Sequence, residues 1–431
     1  MTLSTLQRQL TEIAGAANVS ADAAPFAVAG RAPACAVAPG TVEELAAAVA
    51  ACAAARVPVV PWGGGTKQRW GRPPAAEQFV VVQTGRLRGA LVYEPDDLTI
   101  SVAAGTTLAE LDALLAANGQ MLPLDAPEPA RATVGGVLAT AVDGPRRLAY
   151  GTARDLLIGV GVVEATGRVS KAGGMVVKNV SGFDMMKLYL GSLGTLAIIV
   201  SANFKLLPRA RAAGSLSCRF RAPEPALALA EQIAASQLTP AAVEYHEGWA
   251  EAGAPPVALE VRAEGLPAAV ERHLRDLEAM ARAAGAAEVE ALPAAGPELE
   301  ARWARHGDLA QTSAVADDEL VARLSCLPGD LAAAVARARD LAAGHGLGLR
   351  VAARALGGVA YLRAQGPDEG LRAWHAGLLA GPAELAVLAA RPALAAELPV
   401  WGRPPANLEL MRRIKAEFDP ENLLNPGRYV V

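Results

Sequence analysis

The stretch Lys171-Ala-Gly-Gly-Met-Val-Val-Lys-Asn-Val-Ser-Gly-Phe-Asp184 sets charged and amide side chains inside an apolar, glycine-rich run, which Leu188-Tyr-Leu-Gly-Ser-Leu-Gly-Thr-Leu-Ala197 continues. Burying Lys178, Asn179 and Asp184 in such a run costs on the order of several kcal/mol unless each side chain finds a partner or a ligand. Its glycines allow the backbone to approach another molecule closely. The stretch therefore predicts a ligand-binding site.

The composition of the chain indicates a globular protein of two domains. Its 431 residues exceed the usual size of a single core, and 52% of them are hydrophobic while 19% are charged. The net charge is −4 and there is no block of lysine or arginine, which argues against nucleic acid as a partner. The four cysteines have no C-x-x-C spacing, so we expect no metal site.

No part of the sequence is typical of a secretory signal or a membrane span. The N-terminus is polar, and the most apolar segment, Thr195 to Phe204, has the length of a strand. We therefore expect a cytoplasmic protein that is peripheral to the inner membrane at most, through a partner.

The first 210 residues alternate helix and strand signals. Capping-box spacings at Thr41 and Thr107 predict helix starts, and a buried strand leads into the glycine-rich turn Trp62-Gly-Gly-Gly-Thr-Lys67. A linker rich in Pro, Arg and Ala, Pro208–Gly214, predicts a domain boundary.

After this linker the order β-α-β-β-α-β occurs twice, in residues 216–292 and 320–388, which is the order of a ferredoxin-like unit. The expected fold class is α+β. We expect a first domain of two α+β subdomains at 1–210, a cap domain of two ferredoxin-like units at 211–391, and a tail at 392–431 that returns to the first domain.

The turn Trp62-Gly-Gly-Gly-Thr66 can present several backbone N–H groups to an anion, and pyrophosphate is the anion that we expect to bind there. The alternative is an ordinary glycine-rich turn between two strands. The chain has no G-x-x-x-x-G-K-[ST] sequence, and Gly159-Val-Gly161 lacks the third glycine of a Rossmann fingerprint. A nucleotide site must therefore belong to another fold.

Four blocks, in order, resemble the PCMH-type FAD-binding domain of the vanillyl-alcohol oxidase and p-cresol methylhydroxylase family. They are Val59-Val-Pro-Trp-Gly-Gly-Gly-Thr-Lys67, Val102-Ala-Ala-Gly-Thr-Thr-Leu-Ala-Glu-Leu111, Thr133-Val-Gly-Gly-Val-Leu-Ala-Thr140 with Tyr150-Gly-Thr-Ala-Arg-Asp155, and Lys171–Val200. Within that family, residues 173–200 and the tail up to Tyr429 are most similar to the smaller FAD-binding subunits (E subunits) of bacterial glycolate oxidases, also called glycolate dehydrogenases.

The resemblance implies roles for individual residues of this chain. It implies that the turn wraps the FAD pyrophosphate, that the third block lines the isoalloxazine and ribityl side with Gly151 and Asp155 near the cleft, and that Ile198 contacts adenine through its main chain. Capping or turn roles are the alternative for Thr140 and Asp155. The implied FAD-binding set is Pro61, Trp62, Gly63, Gly64, Gly65, Thr66, Thr133, Gly135, Gly136, Ala139, Thr140, Gly151, Asp155 and Ile198. Because positions 62–72 contain no His, we expect noncovalent FAD.

No catalytic base can be identified from the sequence. The five histidines, at 246, 273, 306, 345 and 375, show no metal-ligand spacing. Lys178 is a candidate for positioning or stabilising charge, and an ion pair with Asp184 is the alternative.

The resemblance implies a 2-hydroxy-acid dehydrogenase complex that oxidises glycolate to glyoxylate. Its partners are a larger FAD-containing glycolate dehydrogenase subunit and an iron–sulfur subunit, and electrons pass to quinone. Two alternatives stay open: a stand-alone FAD-dependent 2-hydroxy-acid oxidase, and a non-catalytic assembly subunit that retains the FAD fold.

Overall fold

The computed structural model describes residues 2–176, 182–250, 253–292 and 296–431, which form two compact units. The first unit comprises Met1–Asp143, Thr152–Arg209 and Pro404–Val431, and the second comprises Gly144–Gly151 and Ala210–Arg403. Residues 392–403, grouped with the tail in the sequence analysis, lie in the second unit because Leu394, Leu398 and Val400 are buried in its hydrophobic core.

The helices of the described residues are numbered in chain order. They are α1 (Leu3–Ala14), α2 (Val42–Ala55), α3 (Leu108–Ala116), α4 (Val134–Thr140), α5 (Arg147–Tyr150), α6 (Ala153–Leu156), α7 (Met186–Tyr189), α8 (Pro223–Ala235), α9 (Pro267–Ala283), α10 (Pro297–Asp308), α11 (Leu331–Gly344), α12 (Asp368–Leu379), α13 (Pro392–Glu397) and α14 (Leu408–Phe418).

The strands follow the same convention. They are β1 (Val19–Ser20), β2 (Cys35–Val37), β3 (Val59–Trp62), β4 (Val80–Gln83), β5 (Ala90–Glu94), β6 (Thr99–Ala103), β7 (Gln120–Met121), β8 (Leu157–Val163), β9 (Val169–Gly173), β10 (Ile198–Lys205), β11 (Leu207–Pro208), β12 (Ala212–Phe220), β13 (Ala242–Glu247), β14 (Val257–Gly265), β15 (Glu288–Leu292), β16 (Glu319–Ser325), β17 (Gly348–Arg354), β18 (Val359–Gln365) and β19 (Glu384–Ala389).

The first unit contains two main sheets. One has the order β1-β2-β4-β3, in which β2, β4 and β3 are parallel, and the other has the antiparallel order β5-β6-β10-β8-β9. The predicted linker is mostly strand, because β11 pairs with β7 and β12 begins at Ala212.

The helix starts of this unit follow from local side-chain chemistry. The capping box predicted at Thr107 is confirmed: its hydroxyl accepts from the Glu110 amide, and the Glu110 carboxylate accepts from the Thr107 amide. At Thr41 only the first half forms, since the Glu44 carboxylate accepts instead from the amide of Gly40, at 2.6 Å. Both caps satisfy amides that a helix leaves without partners.

The tail packs against the first unit. Leu424 bridges to Val59 as a parallel strand neighbour, and the Asn425 amide donates to the Val59 carbonyl at 2.8 Å. Leu424 is fully buried in the same core cluster as Leu45, Val82 and Val200. This places the tail beside β3, the strand that leads into the glycine-rich turn.

The second unit is built on one antiparallel sheet of the order β15-β12-β14-β13-β17-β18-β16-β19. Each half follows the predicted β-α-β-β-α-β order, with β12 to β15 around α8 and α9, and β16 to β19 around α11 and α12. The halves join edge to edge, because β13 pairs with β17 from Glu244 opposite Arg354 to Glu247 opposite Val351. This pairing merges two four-stranded sheets into one.

Candidate functional site

A cleft lies in the first unit, between the glycine-rich turn, α4, the segment that leads into β10, and the tail. Five separate parts of the sequence supply its walls. The lining residues are Pro61, Trp62, Gly63, Gly64, Gly65, Thr66, Lys67, Gln68, Thr84, Thr133, Gly135, Gly136, Ala139, Thr140, Leu193, Gly194, Ala197, Ile198, Ile199, Asn425 and Arg428.

The glycine-rich turn is held by contacts that only glycine permits. A Cβ on Gly64 would lie 1.7 Å from the carbonyl oxygen of Arg131, and a Cβ on Gly63 would lie 2.3 Å from Oγ1 of Thr133. Gly65 has a φ of +73°, which favours glycine. The glycines are therefore required for packing the turn against residues 131–133, a reason that the sequence alone does not give.

The turn offers hydrogen-bond donors to the cleft. No described residue accepts a hydrogen bond from the backbone amides of Gly63, Gly64 or Gly65. Trp62, which begins the turn, is held edge-on by the ring of Phe26, with 5.5 Å between the ring centroids. Consecutive amides that lack acceptors form a site for an anion.

The electrostatics of the cleft favour a negatively charged ligand. Lys67 and Arg428 lie in its lining, and no Asp or Glu does among the residues that the structure describes. Burial lowers the pKa of Arg428 to about 10, so this side chain still carries its charge at neutral pH. It is fixed by donating to the side-chain and main-chain oxygens of Gln68, at 2.7 and 2.8 Å, and to the Trp70 carbonyl.

The start of α4 forms the wall beside the turn. Thr133 caps this helix, since its hydroxyl accepts from the Gly136 amide at 3.3 Å, and the Thr140 hydroxyl donates back to the Gly136 carbonyl at 2.8 Å. Gly135 packs so closely on Ala104 that a Cβ would lie 2.9 Å from the alanine methyl. These contacts bring α4 against the sheet, and its glycines Gly135 and Gly136 line the cleft.

The tail contributes a polar group of its own. The Asn425 amide nitrogen donates to the Leu193 carbonyl at 2.5 Å, while its buried Oδ1 has no hydrogen-bond partner among the described residues. An orphaned buried oxygen that lines a cleft is a candidate to accept a hydrogen bond from a ligand.

The cleft brings together all but two of the predicted FAD-binding residues. Gly151 instead ends α5 in the second unit, with a φ of +76°. Asp155 caps α6, because its carboxylate accepts from the amide and the hydroxyl of Thr152, at 2.8 and 3.1 Å. The hydrogen bond from the Thr152 amide is the main cause that lowers the pKa of Asp155. Lys178 lies outside the described residues.

Several lining residues were missed in the sequence analysis. Lys67 and Gln68 directly follow the predicted turn, and Leu193, Gly194 and Ala197 lie within the glycine-rich stretch that was noted but not assigned. Asn425 and Arg428 belong to the Asn-Pro-Gly-Arg motif of the tail. The amide and the cation in this short motif are the signal from which both residues could have been predicted. No metal-ligand group and no helix of membrane-spanning length and apolarity occurs within the described ranges.

Two protein-family models match the chain. One describes an FAD binding domain and matches residues 33–182, and the other describes the C-terminal domain of FAD linked oxidases and matches residues 401–429. Together these ranges contain the residues that line the cleft, except the five between Leu193 and Ile199.

Three relatives illustrate the likeness. Glycolate oxidase subunit GlcD of Bacillus subtilis is 26% identical over 419 residues, 91% of this chain and 88% of that protein. Glycolate oxidase subunit GlcE of Escherichia coli is 37% identical over 162 residues, and a D-lactate dehydrogenase of Archaeoglobus fulgidus is 35% identical over 213. The GlcE alignment covers 37% of this chain and 45% of that protein. The D-lactate dehydrogenase alignment covers 49% of this chain and 47% of that protein.

Solved structures share the whole fold. An alkyldihydroxyacetonephosphate synthase superposes with a TM-score of 0.76 at 18% identity, covering 99% of this chain and 85% of that chain. A substrate-bound p-cresol methylhydroxylase superposes with a TM-score of 0.76 at 16% identity, covering 99% of this chain and 96% of that chain. The chain therefore has the PCMH-type α+β fold. The matches to the two family models identify FAD as its cofactor.

Proposed function

We propose that this chain is the FAD-binding subunit of a glycolate or 2-hydroxy-acid dehydrogenase complex. The observation that carries the proposal is the cleft, which combines amides without acceptors and two cations with no carboxylate. This donor set suits the two negative charges of a pyrophosphate. When bound, FAD supplies a two-electron acceptor for substrate oxidation.

Each wall of the cleft has a role in this proposal. The amides of Gly63 to Gly65 donate to the pyrophosphate oxygens, and Lys67 and Arg428 neutralise them. The glycines of α4 let the flavin approach this wall, with Thr133, Ala139 and Thr140 beside them. Ile198 lies toward the adenine end. Gly151 and Asp155 keep the structural roles described above.

We further propose that the FAD is held without a covalent bond. A covalent flavin link requires a nucleophilic side chain, and no His, Cys or Tyr occurs among the described residues that line the cleft. Thr66, Thr84, Thr133 and Thr140 are the hydroxyl side chains there, and an unactivated hydroxyl is a weak nucleophile.

The choice of substrate class follows the names of the relatives. Among them are glycolate oxidase subunits, D-lactate dehydrogenases and a D-2-hydroxyglutarate dehydrogenase, all of which are named for a 2-hydroxy acid. Two are named as subunits, which supports assembly with other chains. In the proposed complex a larger FAD-containing subunit and an iron–sulfur subunit carry electrons to quinone. This chain stays cytoplasmic and meets the inner membrane only through those partners.

The test is an absorbance spectrum of the purified chain, recorded before and after anaerobic addition of glycolate. We expect a flavin spectrum that glycolate alone leaves unchanged and that bleaches when the partner subunits are added. Bleaching of the isolated chain would instead support a stand-alone 2-hydroxy-acid oxidase. A folded chain without flavin absorbance would support the non-catalytic assembly subunit.

A further inference from the structure

β5 is an edge strand with a run of apolar side chains in solvent. It is the first strand in the order β5-β6-β10-β8-β9, so that one of its edges carries no strand among the described residues. Ala90, Leu91 and Val92 are all exposed, Leu91 to 58% and Val92 to 45%. Consecutive apolar residues on an open sheet edge are unfavourable in water and mark a surface that another molecule covers.

A β-bulge accounts for the two neighbouring side chains that both reach solvent. The register with β6 shifts between Ala90, which lies opposite Val102, and Val92, which lies opposite Ser101, so that Leu91 is the extra residue. A bulge redirects side chains and interrupts the ladder of backbone hydrogen bonds. A partner at this edge therefore contacts side chains instead of extending the sheet.

The chain that leads into β5 is open as well. Gly85 and Gly89 precede the strand, and a Cβ added to either of them would meet no atom within 4 Å. Gly89 has a φ of +95°, which favours glycine. Another chain can therefore approach the backbone at both positions.

The two ends of β5 carry opposite charges. Arg86 and Arg88 precede the strand, and both are exposed. At the other end Glu94, Asp96 and Asp97 are exposed, and none of these three carboxylates makes an ion pair with a described residue. A basic end and an acidic end therefore flank the apolar centre.

The two arginines are only partly engaged within the chain. Arg86 donates from Nη1 to the carbonyl of Ala38 at 2.8 Å. Arg88 pairs with Glu110 at 2.6 Å, while 51% of its side chain remains exposed. A guanidinium has five N–H donors, so both arginines can accept a further carboxylate as a partner.

This charge pattern is complementary to itself in the antiparallel orientation. When β5 of one copy meets β5 of a second copy in that orientation, the basic end of each lies against the acidic end of the other. A two-fold axis at Leu91 aligns these ends, because Arg88 and Glu94 are each three residues from Leu91. Arg86 and Asp96 are each five residues from it. A parallel arrangement would instead set like charges together.

We propose that β5 is the surface through which two copies of this chain form a symmetric dimer. The side chains of Leu91 and Val92 from both copies pack at its centre, and the charged ends pair on either side. Such an interface is isologous, since the same residues serve both copies. It uses residues of the first unit alone. Because one short strand buries little area, we expect a dissociation constant in the micromolar range.

Sedimentation velocity of the flavin-loaded chain over a concentration series tests the proposal. Wild type should show a monomer–dimer equilibrium that weakens when NaCl is raised from about 50 mM to about 500 mM, because the charged ends are exposed. Leu91→Asp should weaken dimerisation roughly tenfold or more, since a charge then replaces the apolar centre.

Leu266→Asp is the matched control. Leu266 is 59% exposed, much as Leu91 is, and it lies directly before α9, where Asp is a favourable capping residue. This variant should dimerise as wild type does.

A pair of charge variants tests the contribution of the strand ends. One variant carries Arg86→Glu with Arg88→Gln, so that both ends of β5 are acidic. The other carries Glu94→Lys with Asp96→Lys, so that both ends have a net positive charge. Each variant alone should be monomeric because like charges meet, and an equimolar mixture of the two should form a one-to-one dimer.

The inference is overturned if wild type stays monomeric at every concentration, or if a folded Leu91→Asp protein dimerises as wild type does. If Leu91→Asp fails to fold in a thermal melt, the charge variants decide, and a mixture that stays monomeric overturns the inference. A wild-type monomer whose assembly with other subunits is lost in Leu91→Asp would assign β5 to another occupant.

Discussion

At the scale of single residues, Gly64 explains the composition of the glycine-rich turn. The sequence suggests that glycine is needed so that pyrophosphate can come close. The structure gives a more direct reason, because a Cβ on Gly64 would overlap the carbonyl oxygen of Arg131. Glycine is required first to bring the turn onto residues 131–133, and the turn, whose glycine amides have no acceptor among the described residues, then lines the cleft.

Gly64→Ala should abolish flavin retention and destabilise the fold by about 1–3 kcal/mol, because the added methyl must displace a backbone carbonyl. Absorbance at the flavin band and a thermal melt measure the two effects. Gly85→Ala is the matched control, since a Cβ there meets no atom within 4 Å. Normal flavin content in Gly64→Ala would contradict the assignment of the turn to the flavin site.

Arg428 is the second residue on which the cleft depends. Arg428→Met should weaken FAD binding roughly tenfold or more, since a hydrogen bond to a charged group contributes about 1.5–3 kcal/mol. Flavin affinity can be measured by fluorescence quenching on reconstitution of the apoprotein. Arg412→Met removes the same charge from the exposed face of α14 and should leave the affinity unchanged. Equal affinities in the two variants would contradict the role of Arg428.

At the scale of elements, α14 holds the tail in place through one buried ion pair. Lys415 donates to the Asp419 carboxylate at 2.5 Å and to the carbonyls of Thr195 and Leu424, while Asp419 also accepts from the amides of Leu423 and Leu424. These bonds fix the path that brings Asn425 and Arg428 to the cleft.

Asp419→Ala should cost about 3–5 kcal/mol, because it leaves a buried ammonium group without its partner. It should also reduce flavin content, since the tail no longer holds Arg428 in place. Urea unfolding and flavin absorbance are the measurements. Glu421→Gln, at a half-exposed pair with Arg56, should change stability by less than about 1 kcal/mol. A stable Asp419→Ala protein that loses its flavin would separate the positioning effect from the folding effect.

The sheet of the second unit should be sensitive to acid. Burial raises the pKa of Glu260, but His306 and Arg302 more than offset this and lower it to about 2, below its ordinary 4.5. Its stabilising contribution is therefore present above pH 4.5 and lost as the pH falls toward 2. His246, with a pKa well below 6.5, adds a loss that begins as the pH falls below 6.5, because the unfolded chain takes up the proton first.

Urea midpoints measured from pH 7 to pH 3 should fall steadily below about pH 6.5. Glu260→Gln should lower the midpoint at pH 7 and flatten its pH dependence below 4.5. Glu278→Gln, on the exposed face of α9, should follow the wild-type curve. An identical slope in Glu260→Gln and wild type would show that this carboxylate does not contribute.

At the scale of the whole molecule, the cleft and the eight-stranded sheet belong to different units. The cleft lies within the first unit, and the sheet lies within the second. Substitutions of residues that line the cleft can therefore change flavin content while the ion pairs of the sheet stay intact.

Precipitation of the flavin-loaded chain with acid should release all of its FAD into the supernatant. The physical reason is that no His, Cys or Tyr is available in the described lining of the cleft. Flavin fluorescence of the supernatant and of the washed pellet measures the partition. Fluorescence that stays in the pellet would show a covalent link and contradict this prediction.

The sequence by itself determined the lining of the cleft in outline. The glycine-rich turn, the residues of α4 and Ile198 could be assigned because backbone chemistry of this kind is written in short contiguous motifs. The capping box at Thr107 and the twice-repeated β-α-β-β-α-β order could be predicted for the same reason, since caps and periodicity are local.

Only the tertiary structure decided the rest, because it depends on contacts between distant residues. Arg428 lies 360 residues from Gln68, to which it donates, and His246 lies sixty residues from His306. The pairing of β13 with β17 joins two halves that local patterns cannot connect. For Asp155 the local motif was misleading. The motif predicted a position near the cofactor, but in the structure the carboxylate accepts a hydrogen bond from the Thr152 amide. A side chain's role is set by the partners that the fold brings to it.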